Sequence, residues 1–156
     1  MKAAVIYYSF EGNCTFVARQ IAKQIKADIV QIEITDNKKR TGLAKYLWGG
    51  KQVILKIIPE IKPVNFNAEA YDLIIFGSPV WAGSPAPAIK TFLSQTKISG
   101  KKIALFLCHG GGAGRAMNKL KEMLTGNEFV SEIDFKYPIR NAESVIQKTE
   151  EWVKTL

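Results

Sequence analysis

A chain of 156 residues, 47% hydrophobic and 23% charged, has the size and composition of one globular domain covering residues 1–156, with no apolar run long enough to cross a bilayer and no leader-like start, so a cytoplasmic protein without a membrane partner is expected. Two cysteines are too few for a disulfide framework, a four-cysteine iron–sulfur site or a structural zinc site, so no metal is expected and any redox chemistry must come from an organic cofactor or a single thiol. The formal charge of +8 favours anionic partners, but the lysines are dispersed, with pairs only at Lys38/Lys39 and Lys101/Lys102 and no arginine-rich stripe or aromatic RNA-binding motif, so nucleic acid is not an expected partner.

Residues 2–8 (KAAVIYY) form a short, nearly unbroken apolar run rich in β-formers, as in a strand covered on both faces. Turn chemistry follows at 9–13, and over residues 14–26 Phe16, Val17, Ile21 and Ile25 recur at helical spacing. Residues 28–34 alternate as a second strand. The stretch 35–66 is irregular, too long for a simple crossover and too short for a second domain. It holds a short helix at 43–55 that Gly49-Gly50 should break, with a lid around Tyr46 to Gly50.

A third strand is expected at 71–77, then a helix at 85–94 with proline in its first turn. A fourth strand lies at 101–108, and a helix at 114–124 carries Met117, Leu120, Met123 and Leu124 on one face. The fifth strand, 128–137, is more polar and belongs at a sheet edge; a helix over 141–154 closes the chain. Strands alternating with helices imply right-handed βαβ units. The fold class is α/β: a doubly wound three-layer sandwich on a five-stranded parallel sheet of order 2-1-3-4-5.

In such a sheet, ligands sit beyond the carboxyl ends of the strands where the strand order reverses. Three loops leave that edge. In the first, Ser9-Phe10-Glu11-Gly12-Asn13-Cys14-Thr15, hydroxyl, glycine and amide residues precede a helix N-terminus, which makes a phosphate cradle; an ordinary turn capped by Ser9 or Asn13 would use the same residues. In the second, residues 77–85, prolines stiffen the chain, small residues admit a flat ligand, and Trp81 either stacks on it or packs into the core. The third, residues 108–114, has four glycines in its last five positions, exposing backbone amides to the polar edge of a heterocycle, and carries His109, the only histidine.

These residues resemble the flavodoxin family. YSFEGNCTFVA at 8–18 is similar to the family's FMN phosphate loop, S/T-x-T-G-N-T with an alanine on the following helix. Residues 77–83 look like the loop covering one flavin face, where an aromatic residue stacks, and the glycine-rich loop looks like the second flavin-flanking loop. The resemblance covers the whole chain in strand order. It implies a flavodoxin-like fold, FMN as cofactor, electron transfer with no catalytic acid or base, and redox proteins as partners. It also implies a set of cofactor-binding residues. Ser9, Glu11, Gly12, Asn13, Cys14 and Thr15 belong to the phosphate loop, and Pro79, Val80, Trp81, Ala82, Gly83, His109, Gly110, Gly111 and Gly112 to the loops around the ring.

Glu11 and Cys14 depart from the motif, where threonines are common. Glu11 should face away from a phosphate and offer only its amide, and Cys14 is a weaker donor than threonine. Many flavodoxins are acidic, whereas this chain has a pI near 9.5, which turns partner choice toward acidic proteins. The alternative within the same family is an NAD(P)H-dependent FMN-containing flavin or quinone reductase, favoured by the basic charge and the segment around 46–50. The short length favours the carrier.

Other users of this topology lack their signatures here. The first strand ends in Tyr7-Tyr8-Ser9 rather than in acidic residues, and neither cysteine starts a Cys-x5-Arg loop. The first turn also has one glycine rather than G-x-G-x-x-G, and no G-x-x-x-x-G-K-[ST] occurs.

Overall fold

The computed structural model describes residues 1–35 and 42–156, with no description of the side chains of residues 42, 43, 45, 46, 52 and 54. The expected lysine pair at 38–39 and the side chain of Tyr46 therefore lie outside the described residues.

Strand β1, Ala3–Tyr8, has every side chain buried. It is a central strand, paired in parallel with β2 (Asp28–Ile32) on one side and with β3 (Leu73–Trp81) on the other. Strand β4 (Ser84–Pro85) folds back antiparallel on the end of β3. Beyond β3 lie β5 (Lys102–His109) and then β6 (Glu128–Lys136), both parallel, so the main path runs β2-β1-β3-β5-β6. This is the flavodoxin-like order expected from the sequence, and the polar β6 does lie at an edge. A bulge between Ile103 and Ala104 shifts its register.

Side chains alternate across the sheet and build two cores. On one face Val5, Tyr7, Ile75 and Phe106 meet Val17, Ala18 and Ile21 of α1 (Asn13–Ile25) and Val145 and Trp152 of α5 (Ala142–Val153). On the other, Ile6, Ile74, Phe76 and Leu105 meet Ile89 and Phe92 of α3 (Pro87–Gln95) and Ala116 and Leu120 of α4 (Ala116–Met123), with Trp48 of α2 (Gly42–Ile54) packed alongside. Each large aliphatic buried this way contributes about 1.5–3 kcal/mol. Trp152 also donates its indole N–H to Ser131 Oγ at 2.8 Å, fastening α5 to β6.

Four local expectations need correction. The second loop is mostly strand: β3 continues to Trp81, and Ala82 and Gly83, with φ of 47° and 67°, turn it back so that Val80 pairs with Pro85 and Trp81 with Ser84. Two consecutive left-handed residues match the twist of a tight hairpin. Ser78 Oγ accepts from Ala86 N–H at 2.8 Å and holds the returning chain, so α3 starts at Pro87 rather than at Pro85. Helix α2 is not broken at Gly49-Gly50, because packing on the sheet outweighs the weak helix propensity of glycine. Strand β2 stops at Ile32, after which Ile34 forms a single antiparallel bridge with Ile61. Among the described residues no helix is long and apolar enough to cross a membrane.

Candidate functional site

At the carboxyl ends of β1, β3 and β5 lies a cavity of about 420 Å³, within the range of small-molecule sites. Ser9, Glu11, Asn13 and Cys14 border it from the first loop. Pro79, Val80, Trp81 and Ala82 border it from the β3–β4 hairpin, and His109, Gly110 and Gly111 from the loop after β5. Gly12, Thr15, Gly83 and Gly112 are chain neighbours of these residues and do not border the cavity themselves. Sequence reasoning missed Tyr137 and left Phe10 and Cys108 out of the candidate set, while Gly49 and Gly50, named only within a lid segment, also border the cavity. Tyr137 had no local signal, because it reaches the cavity from the end of β6.

Gly12 opens α1 at φ 95°, a left-handed conformation that suits glycine, and supplies no side-chain cap. Neither Ser9 nor Asn13 is the N-cap residue. Ser9 Oγ instead accepts from the N–H groups of Gly12 at 3.1 Å and Thr15 at 3.4 Å, bracing the loop and leaving its own O–H free to donate. Asn13 Oδ1 accepts from Ile139 N–H at 3.1 Å and ties the loop to the turn after β6. The first turn of α1 carries no acidic residue, so its N–H groups and the positive end of the helix dipole suit an anion. Glu11 is exposed at the rim.

Trp81 forms an aromatic wall with its neighbours. Its ring stands edge-on to Tyr8 at 5.6 Å, Trp48 at 5.4 Å and Phe10 at 6.0 Å, while Phe10 stacks on Trp48 at 5.3 Å. Trp81 thus packs on the core and also borders the cavity. Gly49 lets α2 close on this wall, because a Cβ there would stand 3.2 Å from Trp81 Cδ2.

His109 anchors the glycine loop. Its Nδ1 accepts from Gly112 N–H at 2.9 Å, so the ring proton of the neutral form sits on Nε2, which meets Asp134 Oδ2 at 2.6 Å. Its main-chain oxygen accepts from Tyr137 N–H at 2.8 Å. The Tyr137 ring lies so near Gly110 that a Cβ there would come within 2.7 Å of it, and the Arg140 guanidinium sits 4.7 Å from the ring centroid.

Cys14 and Cys108 are both buried, both border the cavity and lie beside one another. Burial, and after it the neighbouring Cys108 thiol, pushes the Cys14 thiol well above its ordinary value. Among the described residues no group of three or more His, Cys, Asp or Glu is arranged to hold a metal ion.

The flavodoxin family model matches residues 2–156. Among solved structures, a flavoprotein from Lactobacillus acidophilus NCFM in complex with FMN superposes with a TM-score of 0.74 at 26% identity, covering 90% of this chain and 97% of that one. The apo form of the flavoprotein from the same organism gives 0.67 at 28% identity, over 89% and 95%. Two-electron reduced Megasphaera elsdenii flavodoxin gives 0.61 at 20% identity over 97% and 98%, a likeness of fold.

Proposed function

This chain belongs to the flavodoxin family, and from that premise we propose that it binds FMN in the cavity between its three loops and carries electrons between protein partners. One observation carries the reading. The N-terminus of α1, with no side-chain cap and no acidic residue in its first turn, lies at the same cavity that Trp81 and the Gly110–Gly111 backbone border. An anion site and a wall for a flat ring thus lie side by side, as a phosphorylated flavin requires. FMN, when bound, supplies the ring that accepts and releases electrons. The chain's own residues bind and orient it. The α1 amides and the Ser9 hydroxyl take the phosphate, Trp81 stands against the ring, and the loop anchored by His109 presents amides to its polar edge.

The excess of cations suits an acidic redox protein, whose binding should weaken as salt rises. A second reading, NAD(P)H-dependent flavin or quinone reduction, draws on Gly49 and Gly50, which border the cavity from α2. A visible spectrum separates these readings, taken on the purified protein, after added FMN, and then with NADPH in the absence of oxygen. Flavin bands that NADPH does not bleach are expected. Prompt bleaching would establish the reductase, and a colourless protein that takes up no FMN would overturn both.

A further inference from the structure

Cys14 lies in the first turn of α1 and Cys108 near the end of β5, far apart in the chain yet in one core cluster. They are the only cysteines, 1% and 4% exposed, and both border the cavity. Their thiols are neighbours. A buried structural cysteine would need neither a second thiol nor an access route. We infer that Cys14 and Cys108 are a redox pair that hydrogen peroxide, entering through the cavity, converts to an intramolecular disulfide joining α1 to β5.

The slightly more exposed Cys108 reacts first. Its thiolate attacks one peroxide oxygen, the O–O bond breaks, and the departing hydroxide takes a proton to become water, leaving a sulfenic acid. The Cys14 sulfur then attacks the Cys108 sulfur, the S–O bond breaks, and a second water leaves with the Cys14 proton. Two thiols lose two electrons and two protons, and one peroxide becomes two waters. Burial keeps Cys14 protonated at neutral pH, so its attack on the Cys108 sulfur is slow there and quicker in alkali, where its thiolate forms. On the FMN reading above, on which this last step alone rests, cofactor in the cavity shields both sulfurs.

The test uses the full chain as purified, with and without saturating FMN. Protein exposed to hydrogen peroxide at neutral and at alkaline pH is unfolded, its remaining thiols are titrated, and its intact mass is measured. The expected result is a monomer that loses both thiols together and whose mass falls by two hydrogen atoms, faster in alkali and more slowly with FMN. Cys14→Ser should instead leave an oxygen adduct on Cys108; if that variant does not fold, the wild-type mass alone decides. Thiols that persist in the FMN-free protein, oxygen adducts without thiol pairing, or a disulfide-linked dimer would overturn the inference. Disulfide formation in a protein that never binds FMN would sustain it while refuting the functional reading.

Discussion

The indole of Trp81 is held edge-on by Tyr8, Phe10 and Trp48 while it borders the cavity, so its removal has two consequences. Trp81→Ala should weaken FMN binding by about 1–3 kcal/mol, the scale of base–aromatic stacking, and Trp81→Phe should recover part of that loss by restoring a ring. A fluorescence titration with FMN checks both. Affinity unchanged in Trp81→Ala would leave the indole a core residue only. At this scale the residue types are legible in the sequence, because glycines, a lone histidine and an indole in a turn are rare compositions. Their working partners are not. That His109 meets Asp134 depends on β6 lying beside β5, which no local pattern encodes.

Helix α2 shows how an element can override its own composition. Gly49 and Gly50 read as a break, yet the helix runs through them, with Trp48 packed on the core and Gly49 against Trp81. The two glycines should therefore respond differently to alanine. At Gly50 a Cβ meets nothing within 4 Å, so Gly50→Ala should stabilise the fold by about 0.8–1 kcal/mol through helix propensity alone. At Gly49 the new Cβ stands 3.2 Å from Trp81 Cδ2, and displacing the indole should cancel most of that gain. Urea denaturation of the two variants compares them directly. Equal stabilisation would mean that the α2–Trp81 contact is slack.

Across the whole molecule, contacts between distant segments set the response to pH. The Tyr71 hydroxyl, just before β3, donates to Asp28 Oδ2 at the start of β2 at 2.9 Å. This hydrogen bond, then burial and the Asp28 charge, holds the phenol above its usual range. The folded protein therefore keeps this proton where the unfolded chain has lost it. The stabilisation is complete below the unfolded tyrosine value of about 10 and is lost as pH rises through the raised folded value. Tyr71→Phe should flatten the alkaline decline of the urea midpoint as pH rises past about 10. A decline as steep as in the parent would assign it to other groups.

The βαβ alternation, the edge position of the last strand and the three loops at the carboxyl edge are all readable from the sequence. Each is written locally, in a period of about two or 3.6 residues or in turn chemistry at a strand end. The hairpin from Trp81 to Ser84, the unbroken α2, the arrival of Tyr137 beside Gly110 and the meeting of Cys14 with Cys108 are decided only by the tertiary structure. Each is a contact whose partner lies elsewhere in the chain, or a local preference of about 1 kcal/mol outweighed by packing. Sequence periodicity records which face of an element is buried, and not what that face will meet.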